Sequence, residues 1–283
     1  MFARIHSIQH GKQPMSAPTP EQIAGNWNQV ARSYAEHIHS TTASYAADTV
    51  RLAEVGSDDQ VLDVASGSGA ATLLAAPLAQ DVLAIDFSSE MCAALRERVE
   101  TEGVGNVTIR EMDAQDLDLP DDHVDVALSS FGAMICPDRT RAFTEMARVT
   151  RPAGRLAASC WQAPPNNDWL EIFMTTVMTA MPDGDPPTPP PFMELADPDR
   201  FRSELSAAGW NNVEIVDVTH EAEWADAAVA WSALAEANPL FGPLLEQLPD
   251  EVVATIRETF GTLFDQRDGT PLSAGAWIAH GTP

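Results

Sequence analysis

The stretch QVLDVASGSGAAT, residues 60–72, constrains this chain more than any other. Val61, Leu62 and Val64 make the short apolar run of a buried strand, with the carboxyl of Asp63 near its end. Gly67 and Gly69 permit a backbone bend that side chains would block, and the residues from Ala70 onward suit a helix. Strand, glycine bend and helix in that order present bare amide hydrogens to a ligand at the bend.

The flanking pattern predicts an α/β fold. Residues 1–20 lack periodicity and end in SAPTP, which reads as a flexible tail with Met15 as an alternative start. Ile23, Trp27, Val30, Ala31, Tyr34 and Ile38 recur at helical spacing, and a second helix is expected over 43–55, stopped by Gly56. Strands at 82–85, 107–112, 124–131 and 155–161 alternate with helices at 89–102 and 139–149, with a turn at Pro152-Ala153-Gly154. That alternation means a parallel, doubly wound sheet. Beyond Trp161, an amphipathic helix over 169–181 leads into PDGDPPTPPPF, whose prolines make it a loop laid over something. A helix over 196–210 capped by Asp197 follows, then a strand from 211, helices over 227–238 and 244–264 with a break at Pro249, and a closing strand at 274–281.

Composition narrows the partners. The formal net charge is −26, and Lys12 is the one lysine in 283 residues. Such a field repels phosphate backbones, so a nucleic-acid substrate is not expected. An acidic, lysine-poor surface suits a high-salt cytoplasm, or reflects a bias of the genome. Cys92, Cys136 and Cys160 are too scattered for a zinc spacing and too few for a disulfide framework. No apolar run is long enough to span a bilayer and the N-terminus lacks the basic-then-apolar order of a signal peptide, so a cytoplasmic protein is expected, with no metal and an oligomeric state left open.

Several stretches together resemble the class I S-adenosylmethionine (SAM) dependent methyltransferases, in particular those of ubiquinone and menaquinone biosynthesis and their small-molecule relatives. Asp63 followed by Gly67-Ser68-Gly69 resembles the family's acid and Gly-x-Gly bend, with Ala65 where many members carry a first glycine. Asp86, at the end of VLAID, stands where the family binds both ribose hydroxyls. Asp113-Ala114-Gln115 resembles the segment that reads the adenine edge, Asp113 taking the amine and Ala114 offering its amide. The resemblance implies that Asp63 faces the amino and sulfonium region and that Phe87 and Met91 pack on the adenosine. It also places Tyr34 and Ser129 at the cofactor, and a helix starting near Ala70 against its carboxylate, worth about 0.3–1 kcal/mol. It implies a Rossmann-like seven-stranded sheet, with 21–56 as a helical lid bearing Trp27 and Tyr34, 57–161 as the SAM-binding core, and 162–283 as a substrate cap plus the last strands.

Other readings of the bend fare worse. A short-chain dehydrogenase by resemblance needs a Tyr-x-x-x-Lys pair, and a P-loop or Schiff base needs a lysine that only the tail carries. An RNA or protein methyltransferase lacks its Asn/Asp-Pro-Pro-Tyr/Phe motif, since Ser129-Ser130-Phe131-Gly132 stands there instead. A non-catalytic SAM-binding sensor shares every cofactor residue, and only a pocket opening on the methyl separates it from an enzyme. No general base is evident: His37 and His39 read as exposed or structural, His123 as exposed, and His220 as able to face the pocket. The acceptor side falls to Trp161, Trp169, Phe173, Met174, Met178, Met181, Phe192 and Met193. They describe either core or the wall of a small, apolar substrate's site.

Overall fold

The computed structural model describes residues 18–180 and 191–283. The tail up to residue 17 and the proline stretch up to Pro190, with Met15 and Met181, lie outside the described residues. The apolar runs form β1 (Gln60–Val64), β2 (Asp81–Asp86), β3 (Val107–Glu111), β4 (Val124–Ser130), β5 (Thr150–Trp161), β6 (Asn211–Ala222) and β7 (Leu272–Thr282). They make one seven-stranded sheet in the order β3-β2-β1-β4-β5-β7-β6. The first five are mutually parallel, and β7 runs antiparallel between β5 and β6. From β1 the chain proceeds outward through β2 and β3 and then returns to the other side of β1 as β4. A crevice therefore opens at the carboxyl ends of β1 and β4, where open α/β sheets bind ligands.

Helices cover both faces. On one, α2 (His39–Leu52) and α3 (Ala70–Ala75) bring Ala46, Val50 and Ala71 against Val61, Val126 and Leu128. On the other, α5 (Arg139–Val149) and α7 (Pro198–Ala207) bury Phe143, Met146, Phe201 and Leu205 in the larger cluster. Between them, α4 (Ser89–Glu102) follows β2, capped by Ser88, whose hydroxyl accepts from the Met91 amide at 3.1 Å. A cap of α6 (Asp168–Ala180), α8 (Ala227–Trp231), α9 (Gly242–Leu245) and α10 (Asp250–Asp265) sits beyond the strand ends. Trp231 and Phe260 pack edge to face inside it, at 5.5 Å.

Four expectations are corrected. The first helix, α1 (Ala24–His37), ends one residue before Ile38, and α2 begins at His39, so the two histidines flank a junction between helices. Of the stretch 21–56, expected as one helical lid, α2 packs Ala46 and Val50 into the core. The residues Pro152-Ala153-Gly154 are a bulge inside β5, not a turn before it: pairing steps from Val124↔Thr150 to Val126↔Arg155. There the chain passes so close to β4 that a Cβ on Gly154 would lie 2.6 Å from the Asp125 carbonyl oxygen. Finally, α8 passes into a π-helical turn, Ser232–Glu236, where a continuous α-helix was expected. The break at Pro249 and the cap at Asp197 are as expected.

Candidate active site

The glycine bend is built at the mouth of the crevice. Ala65, Gly67 and Gly69 all have positive φ, at 54°, 55° and 90°. Glycine takes this conformation freely and alanine does so under strain. The Gly67 amide donates to Asp86 Oδ2 at 2.8 Å and the Ser88 amide to Asp86 Oδ1 at 2.9 Å, so this one carboxylate fastens the bend to the end of β2. Ser129 fastens it from the other side, donating to the Val64 carbonyl at 2.9 Å and accepting from the Ala133 amide at 2.8 Å.

His39 reaches the bend from the α1–α2 junction. Its Nδ1 lies 3.0 Å from Ser68 Oγ and its Nε2 lies 3.0 Å from Arg98 Nη1. A guanidinium only donates, so Nε2 is the acceptor and Nδ1–H the donor to Ser68. Burial and the Arg98 charge push its pKa down to about 4, which keeps it neutral. Arg98 also donates to the Ala35 carbonyl at 3.0 Å, and Ser88 donates to Asn28 Oδ1 at 2.7 Å. Both ends of α1 are thus clamped to α4.

The two acids differ in what they lack. Asp63 Oδ2 accepts from the Thr72 hydroxyl at 2.6 Å, whereas Oδ1 is buried with no partner. Desolvation pushes its pKa up to about 7, opposed by Thr72 and supported by the charge of Asp86. Asp86 is likewise raised to about 6 by desolvation, against the pull of its amide donors. A buried carboxylate oxygen without a donor is costly unless a ligand supplies one.

Three adjoining compartments surround these residues. The first is lined by Tyr34, Asp63, Ala65, Gly67, Asp86 and Phe87, together with Thr42, Ser66, Ser130, Phe131 and Gly132. The second continues from Ala65, Phe87 and Gly132 to Asp113, Ala114 and Gln115, where Asp113 Oδ1 accepts from the Gln115 amide at 2.8 Å. Nine of the twelve residues named as cofactor candidates therefore line two joined spaces. The other three do not: Met91, on α4, is fully buried, Gly69 packs on Leu95, and Ser129 braces the bend. Thr42, Ser66, Ser130 and Ile135 line these spaces as well, and no pattern in the sequence marks them.

The third compartment is apolar. Trp27, Phe131, Trp161, Trp169, Trp224 and Phe241 line it with Tyr34, Met134, Leu170 and Phe192. Trp161 stacks on Phe131 with centroids 3.7 Å apart and meets Trp169 edge to face at 5.3 Å. It shares Trp27, Tyr34, Thr42, Phe131 and Ile135 with the compartment at the bend. Burial pushes the Tyr34 phenol up to about 12, so it stays protonated. Of the residues expected on the acceptor side, Trp161, Trp169 and Phe192 line this space, and Phe173 does not, stacking instead on Phe241. Met174, Met178 and Met193 line none of the three spaces, and Met178 is 56% exposed. His220 also stays out, its Nε2 2.8 Å from Asp48 Oδ2 and its ring edge to face with Tyr45. His123 is half-buried rather than exposed. All three cysteines are free thiols, and no cluster able to hold a metal occurs among the described residues. No helix among them is long and apolar enough to cross a membrane.

The donor set fits SAM. The unpartnered Asp63 Oδ1 asks for a cationic donor, Asp86 keeps free lone pairs beside its two amides, and Gly132 leaves a cradle that a Cβ would close, 2.8 Å from the Ala65 carbonyl. Comparison with known proteins agrees. The family described as a methyltransferase domain matches residues 62–158. The demethylmenaquinone methyltransferase of Mycobacterium sp. (strain KMS) is 30% identical over 216 residues, covering 71% of this chain and 90% of that protein. Among solved structures, the (4+2)-cyclase SpnF aligns with a TM-score of 0.60 at 16% identity, over 96% of this chain and 99% of that one. The YcgJ protein of Bacillus subtilis aligns with a TM-score of 0.56 at 20% identity, over 84% and 98%. These last two establish the fold. Taken with the matched domain and the mycobacterial relative, the geometry at the bend identifies the chain as a member of the class I SAM-dependent methyltransferases.

Proposed function

We propose that the acceptor is a small, apolar and aromatic metabolite held against Phe131 and Trp161. The observation that carries this is the shared wall: Tyr34, Thr42 and Phe131 line both the space at the bend and the aromatic space. A molecule in the second therefore reaches whatever lies in the first. A sensor needs no such opening, and this favours the enzyme. The mycobacterial relatives carry the name demethylmenaquinone methyltransferase, so a demethylated quinone belongs among the acceptors to test.

SAM supplies an electrophilic methyl group, and the chain's residues supply its surroundings. Asp63 Oδ1, which has no partner of its own, would accept from the amino end, and the remaining lone pairs of Asp86 would accept from the ribose hydroxyls. The Ala114 amide and Asp113 would hold the adenine edge, with Phe87 beside the ring. Trp27 and Tyr34, on α1, close the shared wall and exclude water. Positioning of this kind is worth about 7–11 kcal/mol, more than the ~3–5.5 kcal/mol of a general base. A cytoplasmic enzyme acting on a small molecule is the setting this reading requires.

Calorimetry with SAM and with its demethylated product, S-adenosylhomocysteine (SAH), tests the donor site. Micromolar binding and a raised melting temperature are expected, with Asp86→Ala removing most of both and Asp86→Asn less. Absence of binding to folded protein would overturn the assignment of the bend. Methyl incorporation across a panel of aromatic metabolites tests the acceptor.

A further inference from the structure

We propose that Glu21 is the catalytic carboxylate of the acceptor side: it accepts a hydrogen bond from an O–H or N–H on the apolar acceptor and takes that proton as the methyl arrives. This rests on the methyl-transfer reading of the aromatic compartment and names the chemical handle its substrate must carry.

Glu21 is 2% exposed, in the 3-10 turn that precedes α1. Its Oε1 accepts from the Thr19 hydroxyl at 2.7 Å, whereas Oε2 is buried with no partner. Among the described residues it forms no ion pair, and no Lys, Arg or His lines either space it faces. The turn is pinned in place. Trp27 Nε1 donates to the Glu21 carbonyl at 2.8 Å, Asn26 Nδ2 donates to the Pro20 carbonyl at 2.8 Å, and the Thr19 amide donates to Gln22 Oε1 at 3.1 Å. The backbone that carries Glu21 is therefore fixed, and a buried, unpaired oxygen persists only where something else donates to it.

What it faces says what that donor is. Among the described residues, Glu21 is the one carboxylate lining the aromatic compartment. The other polar side chains there are the Tyr34 phenol, the Thr41 and Thr42 hydroxyls, the Asn238 amide and the indoles, none of which takes up a proton near neutrality. Glu21 also lines the space at Asp113 and Ala114, so it stands where the acceptor and donor sites adjoin. In the transfer, the sulfur–methyl bond breaks with its electron pair left on sulfur. The acceptor heteroatom bonds the methyl through its lone pair, and its proton passes to Glu21 Oε2. A sulfonium and a carboxylate thereby become a thioether and a carboxylic acid.

The test uses the full chain and begins with SAH calorimetry, whose failure would count against the donor site. With SAH saturating, three probes on one ring system are then titrated: 1-naphthol, 1-naphthylamine and 1-methoxynaphthalene. The expected result is that naphthol or naphthylamine binds about ten-fold more tightly than the methoxy compound, and the stronger of the two tells oxygen from nitrogen. Glu21→Gln, close in shape, should cut that preference at least three-fold and Glu21→Leu abolish it, with SAH affinity kept within three-fold. Radiolabelled methyl transfer to the preferred probe should fall at least 100-fold in Glu21→Gln at saturating SAM. Equal binding of the three probes, no binding of any, or an unchanged preference in both variants would overturn the proposal. So would a loss of SAH affinity with the preference intact, which would make Glu21 an adenine contact.

Discussion

Nδ1 of His39 stands 3.0 Å from Oγ of Ser68, so the first residue of α2 holds the tip of the glycine bend. His39→Ala should cost about 0.5–1.5 kcal/mol at pH 7 and loosen SAH binding several-fold. The pH dependence identifies the cause. The folded pKa of about 4 lies below the ordinary 6.5, so between these values the unfolded chain holds the extra proton. The contribution of His39 is full above pH 6.5 and is lost as pH falls toward 4. Melting curves of wild type and variant should therefore converge over that window. A gap that does not change with pH would mean that His39 is not held neutral.

Asp63 moves in the opposite sense. Its folded pKa of about 7 is above the ordinary carboxylate value, so the ligand-free protein loses stability as pH rises from about 4 to 7. A bound cation favours the charged carboxylate, and binding must therefore release a proton in this window. SAM affinity should rise several-fold between pH 6 and 7.5, with proton release measurable by calorimetry in buffers of different ionisation heat. Asp63→Asn should bind weakly with a flat profile. An equally steep profile in that variant would assign the proton to Asp86, which burial raises to about 6.

The residues that a sequence can mark are those with a backbone or charge reason to be where they are. Gly67 and Gly69 take positive φ, Asp63 stands one residue before the end of β1, Asp86 ends β2, and apolar runs give each strand its place. The aromatic wall was only half legible. Trp161, Trp169 and Phe192 stand out by type, but Trp224 and Phe241 enter the site only because the cap folds back over the strand ends. The methionines suggested a face by helical spacing, yet spacing says which residues share a side and not which side meets the cavity. Glu21 and Thr42 were invisible for a related reason: an acid in a first turn and a threonine in a helix look alike in sequence whether they face water or a pocket.

Ala65 and Gly132 are a matched pair. Ala65 holds φ of 54°, and a Cβ on Gly132 would lie 2.8 Å from the Ala65 carbonyl oxygen and closer still to its methyl. Ala65→Gly trades strain of about 1–2 kcal/mol against the greater backbone entropy of an unfolded glycine. Its stability should stay within about 1 kcal/mol of wild type and its SAH affinity within a few-fold. Gly132→Ala should be severe on its own, and the double variant should recover part of the loss. A large gain of affinity in Ala65→Gly alone would show that alanine compromises the bend.

Phe131 and Trp161 separate the two sites by experiment. Phe131 has φ of 60°, held by an amide donating to Ser159 Oγ at 3.0 Å, and its ring faces both compartments. Trp161 lies behind it, stacked at 3.7 Å, and faces only the aromatic space. Strain at such a position persists where the surroundings fix it, here between a serine and an indole. Trp161→Leu should therefore raise the acceptor KM about ten-fold with SAH affinity within three-fold, whereas Phe131→Leu should weaken both. Calorimetry and steady-state kinetics on the two variants read this directly. If Trp161→Leu weakened SAH as much as the acceptor, the wall would act through the fold rather than by contact. The aromatic space would then lose its claim to be the acceptor's.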